Sequence, residues 1–325
     1  SLPGGIGWYR KTFVLPATVI NKQVILSFDG VYQQSEVWVN GHYLGKRPNG
    51  YMPFQYIIDE YLLPAPQKNT IAVRVDNSKQ PNSRWYTGSG IYRDVTLHLS
   101  NKVAFVPYEI FISTKSLMGN KVVLDLRTVV FNRWVDTALD LQMSTEILDQ
   151  KQKQLYHRQA MKKVNRPGQW NNSLTDTLQG IMPWSLERPY LYTLRLVLYQ
   201  RGKKIDEYKI KFGFREAQFH KEKGFVLNGR PMLLKGVCMH HDLGALGAAF
   251  NKVAAKRQLN MLKEMGCNAI RFSHNPPAAA MLDLCDEMGF LVIDEAFDNW
   301  TKKKNKLEKS TIFQLIKLYF FMAVI

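Results

Sequence analysis

Three short apolar runs alternate with two segments of helical spacing between about residues 225 and 300. The runs are Met232–Val237, Asn268–Arg271 and Phe290–Ile293, and each has the length of a buried strand. Alternation of this kind predicts β-α-β-α-β, in which parallel strands are joined by right-handed crossovers. The sequence therefore predicts the beginning of an α/β sheet or barrel in this part of the chain.

Both intervening segments carry helix spacing and helix end signals. Apolar or small residues recur three and four positions apart at Ala255, Leu259, Leu262 and Gly266, and at Met281, Cys285 and Met288. Gly266 and Gly289 are predicted to end the two helices, because the residue after a helix often adopts a left-handed conformation that glycine tolerates. Asn275 and Pro276 are predicted to be the N-cap and the first residue of the second helix.

Polar side chains follow each of the three predicted strands at its carboxyl end. They are His240, His241 and Asp242 after the first strand, Arg271, Ser273, His274 and Asn275 around the end of the second, and Asp294 and Glu295 after the third. Ligands bind at the carboxyl ends of parallel strands in both barrels and open α/β sheets. A doubly wound nucleotide fold would need G-x-G-x-x-G after the first strand, and residues 244–247 do not match it. The pattern favours a barrel with a ligand site at this edge.

Residues 1–101 alternate polar and apolar positions in short runs separated by turn residues, a pattern typical of a sandwich and here of a jelly roll. Asn40 and Gly41 separate two such runs and predict a β-hairpin. Trp8 is predicted to lie in the core. Residues 102–213 repeat the all-β pattern over a length that fits an immunoglobulin-like sandwich.

Five strands are predicted in the second sandwich. They are Pro107–Thr114, Lys121–Phe131, Ala138–Leu148, Leu191–Tyr199 and Glu207–Phe212. The polar stretch Gln150–Val164 is rich in Lys and Gln and predicts a protruding hairpin or an exposed loop. We expect this sandwich to be a spacer without chemistry of its own.

Composition narrows the functional classes. The 325 residues suit two or three domains, and 46% hydrophobic residues can form proper cores. The excess of 44 Lys and Arg over 27 Asp and Glu gives a net charge of +17, and a strongly basic chain makes nucleic-acid binding a function to consider. The basic residues are scattered, only Lys302–Lys306 is a dense run, and no nucleic-acid motif accompanies them, so no nucleic-acid partner is predicted. Cys238, Cys267 and Cys285 are predicted to be buried apolar residues rather than disulfides or metal ligands.

Motifs along the chain resemble those of glycoside hydrolase family 2. LNGRPMLLKGV followed by a histidine, NAIRFSHNPP and GFLVIDEA resemble the first three strands of that family's catalytic barrel. GWYRKTFVLP, VWVNGHYLG and NSRWYTGSGIYRDVTL resemble its sugar-binding domain, and PWSLERPYLY resembles a motif of its second domain. The resemblance implies domains at 1–101, 102–213 and 214–300, the last being the start of a TIM barrel, followed by an atypical tail at 301–325.

The family's activity implies a retaining β-glycosidase, most like a β-galactosidase, whose partner is a β-linked oligosaccharide or glycoside. A β-glucuronidase, a β-mannosidase and a non-catalytic carbohydrate-binding module are the alternatives. The implied substrate-binding residues are His240, His274, Asn275, Arg271, Glu295, Arg84 and Trp85. Cys238 departs from the family's pattern, which has Asn at that position.

The roles of these residues follow from the resemblance. His240 and His274 correspond to histidines that bind sugar hydroxyls, and Arg271 and Asn275 would brace them. Glu295 corresponds to a carboxylate that contributes to a Mg²⁺ site or binds the sugar in some relatives. Trp85 would stack on a sugar face, and Arg84 would bind hydroxyl groups, with core packing an equal alternative for this loop.

The family's acid/base and nucleophile glutamates follow the fourth and seventh barrel strands, and we expect this sequence to end before either. No catalytic residue is therefore predicted, and the chain alone is expected to be inactive. Asp294, Glu295 and Asp298 sit at the correct barrel end to be nucleophiles, but the resemblance argues against that role. No bound metal or other cofactor is predicted, and Mg²⁺ is an option for the intact enzyme alone.

Residues 301–325 do not continue the family's pattern. The run Ile312–Ile325 carries Lys317 and is shorter than the ~20 apolar residues of a spanning helix. A core helix or a membrane-interface helix would fit it, but we interpret it as an altered tail from a shifted reading frame or a misassembled gene end. No membrane partner is expected. Homo-oligomerisation is left open for the intact enzyme, as is its compartment, the periplasm or cytoplasm of a bacterium.

Overall fold

The computed structural model describes residues 4–19, 21–79, 85, 88–133, 138–165 and 167–296, which form three successive sheet systems. The predictions for Arg84, Asp298 and residues 301–325 lie outside the described residues. Within the described ranges, each helix is too short or too polar to cross a membrane.

The first sheet system is a sandwich of antiparallel strands. Its strands are β1 (Ile6–Phe13), β2 (Gln23–Phe28), β3 (Val31–Tyr32), β4 (Ser35–Val39), β5 (His42–Arg47), β6 (Phe54–Ile57), β7 (Asn69–Asp76), β8 (Gly90–Ile91) and β9 (Val95–Ser100). They form sheets in the orders β1-β7-β4-β5 and β6-β2-β9, and β3 pairs with β8. Alternate residues such as Leu26, Phe28 and Val37 are fully buried between the sheets, as the period of two predicts. Asn40 and Gly41 both have positive φ, which confirms the predicted hairpin turn.

The second sheet system is an immunoglobulin-like sandwich. Its strands are β10 (Val103–Phe105), β11 (Phe111–Met118), β12 (Lys121–Asn132), β13 (Leu139–Leu148), β14 (Gln154–Val164), β15 (Gly168–Leu178), β16 (Tyr192–Gln200) and β17 (Lys203–Phe212). One sheet has the order β14-β13-β16-β17, and in the other β10, β11 and β15 all pair with β12. The stretch 150–164, predicted to be a protruding hairpin or an exposed loop, instead forms a turn and the edge strand β14, which pairs with β13 along its length. Strand β15 was missed by the sequence analysis.

The third region begins the predicted barrel. A three-stranded antiparallel sheet comprises β18 (Ala217–His220), β19 (Gly224–Leu227) and β20 (Arg230–Pro231). It is followed by β21 (Gly236–Met239), α1 (Lys252–Glu264), β22 (Ala269–Phe272), α2 (Ala279–Met288) and β23 (Leu291–Asp294). Strands β21, β22 and β23 are parallel and adjacent in that order, which confirms the predicted β-α-β-α-β arrangement. The apolar faces of α1 and α2 pack on this sheet through Leu259, Ile270 and Leu284.

Some local predictions are correct in this region and others are wrong. Gly266 and Gly289 follow the two helices with φ of 83° and 73°, as predicted. The first strand lies at Gly236–Met239 rather than Met232–Val237, and Met232 instead packs on the apolar cluster that contains Trp184 and Ala269. The residue before α2 is Ala278 in extended conformation, so Asn275 does not cap that helix. Asn275 is instead buried at the end of β22, with 5% of its surface exposed.

Two burial predictions are also wrong. Trp8 is 60% exposed on the outer face of the first sandwich, where it packs against Trp38 with ring centroids 5.4 Å apart. Cys238 is exposed, whereas Cys285 is buried and Cys267 is half-buried, and all three are free thiols. Trp8 is exposed because β1 is exposed along nearly all of its length, whereas Cys238 lies on the exposed face of β21, whose residues alternate in burial.

Candidate functional site

The register of the parallel sheet brings the strand exits to one edge. Met239 lies opposite Phe272 in the strand register, and Phe272 lies opposite Asp294, so β21, β22 and β23 end side by side. The residues that immediately follow them therefore share one rim. The polar side chains predicted at three separate positions of the sequence are neighbours in the structure, and we call this edge the rim.

Glu295 is the centre of the hydrogen bonds at the rim. Its Oε1 accepts from Arg271 Nε at 2.8 Å and also contacts Arg271 Nη2. Its Oε2 lies 2.9 Å from His274 Nδ1. Because both carboxylate oxygens are engaged, Glu295 orients its two neighbours. The hydrogen bond to Glu295 stabilises the charged form of Arg271 and raises the pKa of its guanidinium.

His240 connects this cluster to the first sandwich. Its ring lies edge-on to the His274 ring, with centroids 5.6 Å apart. The His240 ring also stacks on the Trp85 ring, with centroids 4.0 Å apart and planes only 12° from parallel. Trp85 remains 48% exposed, so it offers aromatic surface beside the rim. The structure therefore brings together Trp85, His240, His274, Arg271 and Glu295.

Burial shifts the pKa of several groups near the rim. Desolvation lowers the pKa of His240, and the nearby His274 lowers it further. Desolvation raises the pKa of Asp294 to about 6, against the opposing effect of Arg93. Among the residues that the structure describes, none forms a hydrogen bond with the buried Oδ1 atom of Asp294. A buried polar atom of this kind is a feature of sites that are completed by a ligand or by water.

Residues of the first sandwich that the sequence analysis did not select also reach the rim. Arg93 Nη2 donates to the carbonyl oxygen of Pro276 at 2.6 Å, and His241 Nε2 lies 3.1 Å from the same oxygen. The His241 ring packs against Tyr51, with centroids 5.0 Å apart. Arg93 lies in the GIYRDV part of a motif that resembles the family, but its partner is 183 residues away, so no local pattern could identify the contact.

The rim residues do not fit a Mg²⁺ ion. That ion prefers near-octahedral oxygen ligands, whereas both oxygens of Glu295 face nitrogen donors of Arg271 and His274. Among residues 4–296 that the structure describes, no group of three His, Cys, Asp or Glu side chains could hold a metal ion.

Comparison with known protein families agrees with the architecture. Residues 3–101 match the sugar-binding domain of glycosyl hydrolases family 2, and residues 219–312 match its TIM barrel domain. Between them, residues 109–215 match a third model of the same family, described only as glycosyl hydrolases family 2. The three matches follow one another in the order of the three sheet systems.

Individual relatives are similar along nearly the whole chain. A beta-galactosidase of Bacteroides ovatus is 43% identical over 304 residues, which are 94% of this chain and 36% of that protein. A family 2 member from Bacteroides cellulosilyticus has a similar crystal structure, with a TM-score of 0.87, 38% identity, and coverage of 92% of this chain and 41% of the other. A beta-glucuronidase of Bacteroides uniformis gives a TM-score of 0.84 at 30% identity, covering 90% of this chain and 36% of its own.

The chain thus spans about a third of the length of the curated relative, and the matched part runs from the sugar-binding domain into the catalytic barrel. Three consecutive matches to one family, with structural agreement over the same residues, identify the relationship. The chain belongs to the glycosyl hydrolases of family 2 and carries the family's sugar-binding domain, its immunoglobulin-like domain and the first strands of its TIM barrel.

Proposed function

We propose that this chain is the N-terminal portion of a retaining β-glycosidase that hydrolyses terminal β-linked sugars, with β-galactosides as the substrate class. The observation that carries the proposal is the continuous set of contacts from Trp85 through His240 and His274 to Glu295. Sugar sites combine an aromatic face with a few convergent polar groups, as this rim does. The 43% identity to a beta-galactosidase supports the choice of galactosides.

The rim would bind and orient the sugar. His274 Nδ1 faces Glu295 Oε2, which leaves the Nε2 atom on the other side of the ring to form a hydrogen bond with a sugar hydroxyl. Arg271 holds Glu295 in place from the other side. Such hydrogen bonds accelerate hydrolysis when they strengthen in the transition state. Trp85 would stack on the apolar face of the sugar, while Asn275 and Arg84 complete the proposed binding set.

The catalytic carboxyl groups are proposed to come from later barrel strands. Retention requires two carboxyl groups ~5–5.5 Å apart, one acting as acid and one as nucleophile. Glu295 already binds Arg271 and His274, and the 325 residues contain no Asn-Glu pair of the kind that follows the family's fourth barrel strand. We therefore expect these residues alone to bind glycosides without hydrolysing them.

The domain limits at residues 101 and 213 and the self-association of the intact enzyme belong to the same proposal. Limited proteolysis of the 325-residue chain should release a stable fragment that ends near residue 213. Sedimentation analysis of the intact enzyme tests whether it forms an oligomer.

A fusion tests the function directly. Residues 1–296 are joined to the remaining barrel of the Bacteroides ovatus beta-galactosidase, and hydrolysis of nitrophenyl β-galactoside is measured. We expect activity from the fusion and none from the 325-residue chain alone. In the fusion, His274→Ala should lower kcat/KM by about 100-fold. The control His220→Ala changes an exposed histidine of β18 and should leave activity unchanged.

Each other outcome has a defined meaning. Turnover by the 325-residue chain alone would contradict the assignment of both catalytic carboxyl groups to later strands. A fusion that prefers nitrophenyl β-glucuronide or β-mannoside would reassign the substrate class. Glycan binding without hydrolysis by the fusion would favour a carbohydrate-binding module.

A further inference from the structure

Arg93 is an unusually buried charged side chain at the contact between the first sandwich and the barrel segment. Only 9% of its surface is exposed, and burial lowers the pKa of its guanidinium. A buried guanidinium is unfavourable unless its N–H groups are hydrogen bonded. Arg93 Nη1 donates to the carbonyl oxygens of Tyr51 at 3.0 Å and Asp29 at 3.3 Å, and Nη2 donates to that of Pro276 at 2.6 Å. These acceptors are all main-chain atoms, so Arg93 fixes the relative positions of three backbone segments.

The contacts around Arg93 close into a ring that joins the two domains. Arg93 binds the carbonyl of Tyr51, the Tyr51 ring packs on His241, and His241 Nε2 contacts the same Pro276 oxygen that Arg93 binds. Burial, and then the charge of Arg93, lower the pKa of His241 to about 4, so the ring is neutral at pH 7. A backbone hydrogen bond from Phe250 N to Tyr92 O, 3.0 Å long, lies next to this closed set of contacts.

Pro276 lies two residues beyond His274 in the chain. The segment Ser273–Pro276 is anchored at its start by the bond from Ser273 N to Met239 O at 2.9 Å. Its other end is anchored by Arg93 and His241 through the Pro276 carbonyl. His274 and Asn275 lie between these two anchors, and His274 must be held in place to meet Glu295 at 2.9 Å.

We propose that Arg93 is a positioning residue that holds the segment Ser273–Pro276, so that the first sandwich sets the geometry of the sugar-binding rim. The positioning of Ser273–Pro276 by Arg93 is inferred from the contacts alone. The effect of this positioning on glycoside binding rests on the proposed function. Gly30 provides the space for this side chain and for the neighbouring Tyr92 ring, since a Cβ atom there would lie 2.9 Å from Arg93 Cδ and 2.9 Å from two ring atoms of Tyr92. The first domain therefore contributes to the rim in two ways, through Trp85 directly and through Arg93 by way of the backbone.

The test compares Arg93→Met and Arg93→Lys with wild type in the full 325-residue chain. The control Arg195→Met removes an arginine of the second sandwich that binds Glu146 and Glu207. Side-chain and amide NMR signals of His274 and Asn275 report the rim, and thermal melting reports stability. We expect Arg93→Met to shift both sets of signals and Arg195→Met to leave them unchanged. Arg93→Lys should restore them in part, because an ammonium group presents fewer fixed donors than a guanidinium.

Binding of isopropyl β-D-thiogalactoside is measured in the same proteins. We expect Arg93→Met to weaken it at least tenfold and Arg195→Met to leave it within twofold of wild type. If wild type does not bind the thiogalactoside, the galactoside assignment fails, while the NMR comparison still decides the role of Arg93.

The proposal is overturned if folded Arg93→Met retains wild-type signals for His274 and Asn275. Gly30→Ala provides a second variant if Arg93→Met does not fold. It keeps every donor of Arg93 but crowds its side chain together with the adjacent Tyr92 ring, and it should shift the same signals. Unchanged rim signals in folded Gly30→Ala would then count against the proposal.

Discussion

The barrel segment meets the two sandwiches through contacts of opposite character. At the amino ends of its strands, Ala269 and Leu291 join an apolar cluster that contains Trp184 and Leu186 of the second sandwich. At the carboxyl ends, the first sandwich contributes polar and aromatic groups such as Arg93. One contact excludes water around the base of the sheet, whereas the other arranges hydrogen-bonding groups around its rim.

Trp184 shows what the apolar contact requires. Its side chain is 1% exposed, its Nε1 donates to the Asp286 carbonyl at 2.9 Å, and its own carbonyl accepts from Asn228 Nδ2 at 2.9 Å. The guanidinium of Arg215 lies 4.5 Å from its ring centroid. A tryptophan in this setting stabilises the fold through burial and has no free polar group to offer a ligand.

The difference follows from where parallel strands place ligands. In barrels, substrates bind at the carboxyl ends of the strands, and contacts at the amino ends serve stability. The two sandwiches therefore have separate relations to the same sheet. We expect variants at the base to change the free energy of unfolding and variants at the rim to change binding.

The largest effect is expected at Trp184. Trp184→Ala removes a buried ring at the base and should lower the free energy of unfolding by about 3–5 kcal/mol in urea titration. Trp85→Ala is the matched variant at the rim, where the ring is half-exposed, and should lower it by less than about 1 kcal/mol. Similar losses for the two tryptophans would remove the distinction between base and rim.

The second prediction concerns Asp286 at the base. Burial raises the pKa of its carboxyl from 3.8 to about 7. The folded chain therefore holds this proton more tightly than the unfolded chain, and the contribution of Asp286 to stability falls as pH rises from about 4 to about 7. The whole effect amounts to at most about 4 kcal/mol. Asp286→Asn should remove that slope from a plot of urea midpoint against pH.

The control for this experiment is Glu222→Gln, which changes an exposed carboxylate in the turn after β18. Its pH profile should follow that of wild type. A wild-type profile retained by Asp286→Asn would show that the base does not destabilise the charged carboxylate.

The third prediction has the opposite sign and concerns the rim. Burial lowers the pKa of His241 from 6.5 to about 4. The unfolded chain takes up this proton first, so the contribution of His241 is lost as pH falls from about 6.5 to about 4. The loss is at most about 3 kcal/mol. His241→Gln keeps a side-chain N–H for Pro276 without a titrating ring and should reduce the loss of stability on acidification.

His220→Gln, an exposed histidine of β18, serves as the matched control. The comparison is made between variant and wild type at each pH because Asp294, also near Arg93, has a raised pKa and acts in the opposite direction. Equal acid sensitivity in His241→Gln and wild type would contradict the neutral, half-buried imidazole at the rim.

Local sequence signals predicted much of the barrel segment and missed identifiable parts of the sandwiches. Glycine φ values at 266 and 289 agree with the predicted helix ends, since those positions depend on neighbouring residues alone. Strand β15, with the sequence GQWNNSLTDTL, was missed because most of its side chains are polar, and its strand character depends on pairing with β12. Asn275 was assigned to a helix cap, but tertiary packing buries it at the rim instead.

The sequence by itself determined the order of strands and helices, the position of the polar strand exits and the family, because these depend on periodicity, turn chemistry and motifs that are contiguous in the chain. Only the tertiary structure decided that His274 meets Glu295, that Trp85 stacks on His240, and that Arg93 binds Pro276. These contacts join residues from 21 to 183 positions apart. Their geometry comes from sheet register and domain packing, which no local pattern of residues specifies.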